Sequence, residues 1–121
     1  MPDQYPVIDI PEALDRSMGD VQFLQAMLDE FQRMIPDFVE RIENALNNDD
    51  LVALGRDAHQ FKGTAANLGA KRIAAVALTL EQMGKSGDAQ DGPRAFAHLQ
   101  SAVDDFVHYL AFLDWTSIGN Q

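Results

Sequence analysis

The stretch from Asp20 to Ala45 reads DVQFLQAMLDEFQRMIPDFVERIENA, and its apolar residues decide the fold. Leu24, Leu28, Phe31, Ile35, Phe38, Ile42 and Ala45 recur at alternating spacings of four and three, the period that lines up side chains along one face of an α-helix. Asp20 stands immediately before the pattern, where a short carboxylate caps the open N–H groups of a first turn. A stripe of this length needs partner helices to bury it, because an isolated helix gains little from propensity alone. Pro36 falls inside the pattern and has no N–H for the Gln32 carbonyl, so a kink or a local break is expected there.

Towards the N-terminus, Asp9 as a cap and Pro11 in the first turn predict a short helix reaching about Met18, stopped by Gly19. Towards the C-terminus, Asn47-Asn48-Asp49-Asp50 is a turn cluster whose aspartates can cap a second long helix, running to about Leu68 with Leu54, Ala58, Phe61, Ala65 and Leu68 on one side. So short a connection makes the two helices antiparallel neighbours. Gly69 ends that helix, and another begins near Ala70 with Ile73, Val76, Ala77, Leu80 and Met83. The segment from Lys85-Ser86-Gly87-Asp88 to Gly92-Pro93 reads as a loop. Phe96, Leu99, Val103, Phe106, Leu110 and Leu113 then mark a last helix reaching about Trp115. No segment alternates as a half-buried strand would, and no internal repeat is present. The expected fold is all-α: an antiparallel up-down four-helix bundle with a short extra N-terminal helix, one domain over residues 1–121 with its bundle core at about 20–115.

Composition narrows the function. A chain of 121 residues, 46% of them hydrophobic, supports one core. With 19 acidic against 9 basic side chains the net charge is -10, which repels a nucleic-acid backbone and argues against that partner. No run nears the roughly 18 apolar residues of a membrane span, and Met1 to Tyr5 lacks the pattern of a signal peptide, so a cytoplasmic location without membrane insertion is expected. The absence of cysteine excludes disulfides, thiolate catalysis and thiolate zinc sites. A di-metal bundle would need inward Glu-x-x-His pairs, which the sequence does not contain, so no metal is expected. Phe31, Phe38, Phe96 and Phe106 stand at core spacing, Met27, Met34 and Met83 read as gap fillers, and His98 and His108 lie off their helix's stripe.

The second long helix carries the chemistry. On an ideal wheel with His59 at zero the core direction lies at about -140°, while Lys62 lies at about -60°, Gly55 at about -40°, Ala66 at about -20° and Gly63 at about +40°. His59 therefore faces away from the core beside a lysine and three residues with little or no side chain. An exposed helix face built for solubility would carry glutamate, lysine or alanine, since each interior glycine costs about 1 kcal/mol. Bare backbone one turn either side of His59 instead lets another protein's surface come close. Imidazole has an unperturbed pKa of about 6.5, so a fair fraction is neutral and nucleophilic at neutral pH. A nearby ammonium supplies the charge neutralisation that phosphoryl transfer asks of a protein.

The string His59-Gln60-Phe61-Lys62-Gly63-Thr64-Ala65-Ala66-Asn67-Leu68-Gly69-Ala70 resembles the signature of histidine phosphotransfer domains, and the likeness extends over the bundle from about Asp20 to Trp115, including Leu80-Glu81. Thr64-Ala65 stands where many members have two serines. The resemblance implies phosphorylation of His59, charge support from Lys62 and clearance at Gly63, with Glu81 or Gln82 as a polar neighbour of the histidine; the expected docking surface around His59 is Gly55, Gln60, Gly63 and Ala66. It implies response-regulator receiver domains as donor and acceptor, with a hybrid sensor histidine kinase as a further partner. It places Mg2+ on the receiver and leaves this chain with no cofactor of its own. With no glycine-rich phosphate loop, ATP-dependent kinase activity is not expected, and the chain reads as a phosphoryl carrier rather than an autonomous enzyme. Two alternatives use the same surface without covalent chemistry: a helical adaptor, and a degenerate domain serving as a scaffold within a larger kinase.

Overall fold

The computed structural model describes residues 2–119, in which six α-helices follow a 3-10 turn at Pro2–Gln4. The first, α1, spans Ile10–Arg16; Asp9 caps it by accepting from the Glu12 N–H at 3.1 Å. It stops before the expected Met18, because Met18 and Gly19 both turn to positive φ. The long helix α2 spans Val21–Asn47, capped by Asp20 through the Phe23 N–H at 3.0 Å. All seven residues of its predicted stripe are buried. Pro36 does not break it: the helix runs through, with Pro36 on the exposed side, where water can serve the orphaned Gln32 carbonyl. Met27 and Met34 are exposed rather than filling gaps in the core.

The turn after α2 places Asp49 at φ +53°, a conformation that a short polar side chain tolerates, and Asp50 then caps α3, Leu51–Asn67, through the Ala53 N–H at 3.1 Å. Gly69 joins α3 to α4, Lys71–Ser86, at φ +72°. A Cβ there would also stand 2.9 Å from the Asp9 carbonyl oxygen, so the position requires glycine twice over. The Gly69 carbonyl in turn accepts from the Asp9 N–H at 2.8 Å, and the Arg72 N–H donates to the Pro6 carbonyl at 3.1 Å. The N-terminal arm is thereby fastened across the α3–α4 turn.

The next helix, α5, spans Gly92–Ala111, and α6 spans Trp115–Gly119. The expected helix to Trp115 thus ends four residues early, and a short helix not read from the sequence follows. Asp114 starts it by accepting from the Thr116 and Ser117 N–H groups, and Ile118 is buried. The buried side of α5 is also rotated from the predicted stripe. Leu99 and Phe106 are buried as expected, but Phe96, Val103 and Leu110 are only half-buried, and Ala95 and Ala102 fill the interior instead.

Helices α2 to α5 run up and down with each packed on its sequence neighbour, and α5 closes the ring on α2. This is the expected all-α four-helix bundle with a short N-terminal helix, and no strand occurs among the described residues. Rings from three helices meet at its centre: Phe38 stacks on Phe61 at 4.7 Å, and Phe31 meets Phe106 edge-on at 5.4 Å. Phe61 faces this cluster from α3, so His59, two residues earlier, is turned towards solvent.

Candidate functional site

One side chain from α4 organises the surface around His59. Glu81 follows the core residue Leu80 and is itself buried, its side chain 2% exposed. A lone buried carboxylate would be costly, and three nitrogens surround this one. His59 Nδ1 lies 2.9 Å from Oε2, Lys85 Nζ lies 2.9 Å from the same oxygen, and Lys62 Nζ lies 2.6 Å from Oε1. At 2.6 Å the Lys62 ammonium is the partner that holds Oε1, an oxygen sealed from solvent. The Lys62 and Lys85 ammonium groups, helped by the His59 ring, hold the Glu81 carboxyl down to about 2 against burial, which pushes it up.

Because this carboxylate stays ionised and can only accept, the His59 Nδ1 must carry the proton it offers. In the neutral ring this fixes the tautomer: the proton sits on Nδ1 and Nε2 has the lone pair, on the ring edge away from Glu81. The His59 side chain is 65% exposed. The site is thus a nucleophilic nitrogen presented to solvent from mid-helix, with its ring held from behind by a buried anion.

The backbone sets this distance. A Cβ on Gly84 would stand 2.5 Å from the Gly55 nitrogen and 2.6 Å from its Cα, so α3 and α4 touch main chain to main chain at this crossing. His59 lies one turn after Gly55 and Glu81 one turn before Gly84, and in antiparallel helices those two steps lead to the same place.

A family model described as the Hpt domain matches residues 26–109, which include all of α3 and α4 and most of α2 and α5. The chain belongs to the Hpt domain family. Hpt domains carry out histidine phosphotransfer in two-component signalling, and they work with receiver domains and kinases. No curated protein and no solved structure matches the chain significantly. No helix among the described residues is long and apolar enough to cross a membrane.

In this Hpt domain the residues singled out from sequence have separate positions. Gln60 is exposed, Ala66 is half-buried, and the Ala66 carbonyl accepts from Arg16 of α1 at 2.8 Å. Lys62 does not stand free on the outer face; its side chain is 29% exposed and its ammonium rests on Glu81. Gly55, read as clearance for a partner, is first of all the point where α4 crosses, and it also lines a shallow apolar groove beside His59 with Leu51, Val52 and Gly84. Of the two residues named as a polar neighbour, Glu81 makes the contact, while Gln82 is exposed.

Gly63 has open space where a Cβ would go. Gly63→Ala is therefore expected to stabilise the isolated domain by about 0.5–1 kcal/mol through helix propensity, while slowing transfer several-fold by holding a partner off the imidazole. Denaturant midpoints and transfer rates of the same sample check both halves, and a variant that is less stable than the parent would contradict the open position.

Two residues of the site were not singled out from sequence. Lys85 reads as the start of a loop yet lies in the last turn of α4, and Gly84 gives no local sign of its contact. The Glu81 to Lys85 spacing of four was the available signal. The Glu81 carboxyl also has a consequence for acid stability. Its ordinary value of 4.5 is lowered to about 2 in the folded protein, so its ion pairs contribute fully above the ordinary range and are lost as pH falls from there towards about 2. Denaturant midpoints of the parent and Glu81→Gln should differ at pH 7, and the gap should shrink progressively below about pH 4.5.

Proposed function

We propose that this Hpt domain is a phosphorelay carrier in which His59 Nε2 takes a phosphoryl group from the aspartyl phosphate of one receiver domain and gives it to the aspartate of another. The observation that carries this reading is the 2.9 Å contact between His59 Nδ1 and the buried, ionised Glu81 on a ring otherwise open to solvent.

In the forward step the Nε2 lone pair attacks phosphorus, an N–P bond forms, and the P–O bond to the aspartate breaks with its electron pair leaving on the carboxylate. The ring gains positive charge as it does so. Glu81, already accepting from Nδ1–H, stabilises that charge without moving, which is the kind of preorganised electrostatics that lowers a barrier most. Donation to the second receiver is the reverse step. Lys62 holds the Glu81 charge and adds positive potential one turn from the ring, offsetting the negative oxygens of the incoming group. Gly63 and Gln60 lie on the face the receiver must approach. Mg2+ belongs to the receiver, whose acyl phosphate it stabilises, and a hybrid sensor kinase is a source of the upstream receiver.

The test is to mix the protein with a receiver domain carrying labelled aspartyl phosphate, in the presence of magnesium. The label should move to this chain as an acid-labile, base-stable phosphate within the lifetime of the donor. No label from any of several receivers would instead favour a non-covalent adaptor.

A further inference from the structure

The two lysines of the site differ in what their departure would leave behind. Lys62 Nζ lies 2.6 Å from Glu81 Oε1, an oxygen that is sealed from solvent. Drawing Lys62 away would strand that oxygen, and a stranded buried carboxylate oxygen is among the costlier defects a protein can hold. Lys85 Nζ shares Oε2 with His59 Nδ1, each at 2.9 Å. When Lys85 leaves, Oε2 keeps the imidazole N–H. The side chains differ in freedom as well: Lys62 is 29% exposed and Lys85 is 71% exposed. Lys85 is carried by the last turn of α4 and lines the groove beside His59.

We propose that Lys85, rather than Lys62, is the residue whose ammonium closes directly on the phosphoryl group carried by His59, changing partner from Glu81 to the phosphoryl oxygens. The proposal rests on reading His59 as the phosphoryl acceptor. It needs no large motion. Lys85 Nζ and His59 Nδ1 contact one oxygen, so they lie no farther apart than twice that contact, and Nε2 is across the same ring. A flexible four-carbon stem covers that swing. Charge drives the exchange: the phosphoryl group brings up to about two negative charges, whereas Glu81 keeps Lys62 and a ring N–H after Lys85 has gone. Lys62 is then a positioning residue that keeps Glu81 in place, and Lys85 is the catalytic cation.

The experiment compares the full chain with Lys85→Gln, Lys85→Arg and Lys62→Gln, each loaded by a phosphorylated receiver or by phosphoramidate, a small donor that transfers a phosphoryl group to imidazole. Phosphorus NMR follows the second ionisation of the phosphoryl group on His59, and nitrogen NMR follows the tautomer of the unloaded ring. Lys85→Gln should slow loading roughly fivefold to tenfold and raise the phosphoryl ionisation by about half a unit, leaving the unloaded ring as in the parent. Lys85→Arg should restore most of both. Lys62→Gln should disturb the unloaded ring instead. Parent-like loading and ionisation in Lys85→Gln, or both effects appearing only in Lys62→Gln, would overturn the assignment to Lys85 while leaving the carrier role standing. A parent protein that takes no phosphoryl group at His59 from either donor would overturn both.

Discussion

Replacing His59 with glutamine is expected to abolish uptake of phosphoryl label, a loss beyond a thousandfold, without measurable loss of stability. Glutamine keeps the side chain's polarity, and its amide can still donate to Glu81 Oε2, so the buried carboxylate is not left without a partner at that oxygen. What disappears is the lone pair at Nε2, and an amide nitrogen is not a nucleophile towards phosphorus at neutral pH. The parent ring is two-thirds exposed and contributes little to the core, so the denaturant midpoint should stay within about 0.5 kcal/mol of the parent. The measurement is label transfer from a phosphorylated receiver, with acid lability as the check on chemistry. A variant that still took acid-labile phosphate would move the acceptor to His98 or His108 and sink the assignment.

Gly84→Ala is expected to weaken both the fold and the chemistry, and Gly55→Ala is not. The new methyl at Gly84 would lie 2.5 Å from the Gly55 nitrogen and 2.8 Å from the Leu51 carbonyl oxygen, contacts that no rotamer change can relieve because both partners are backbone. The helices must separate. Overpacking of this kind typically costs about 1–3 kcal/mol, and alanine's better helix propensity returns about 1; with backbone on both sides a net loss of about 2 kcal/mol is expected. The separation also draws Glu81 off the His59 ring, so transfer should fall about tenfold to a hundredfold, since small misplacements at a reacting centre act that strongly. From the other side, a methyl on Gly55 meets the Gly84 Cα at 3.7 Å, an ordinary contact. Gly55→Ala should therefore stay within about 1 kcal/mol of the parent. Equal damage from the two substitutions would show that the crossing is not the asymmetric contact described.

The sequence made the bundle readable where burial follows large apolar residues. On α2 the stripe from Leu24 to Ala45 is buried throughout, because the one apolar face packs chiefly against α3 and α5 and is marked along its length by large side chains. On α5 the same reading drifted. Its interior is lined partly by Ala95 and Ala102, small residues that periodicity in leucine, valine and phenylalanine passes over. The five residues of α6 are too few to show any period. At the site, His59 and the bare position Gly63 were legible because both are properties of one helix wheel. The burial of Glu81 was not, because it depends on a second helix approaching through Gly84, and nothing local to Glu81 separates a carboxylate at a crossing from one on a solvated face. Lys62 was legible as a cation near the histidine, but its pairing with Glu81 is again a property of two helices.

For the carrier role proposed above, the open setting of His59 decides who guards the cargo. A phosphoryl group resting on a ring that is 65% exposed, on the outside of a continuous helix, meets bulk water from the moment it arrives. Shelter comes only while a receiver is seated over it. Survival of the loaded state between encounters is then a race between hydrolysis and collision, so the yield of the relay is set by how abundant the acceptors are as well as by the carrier itself.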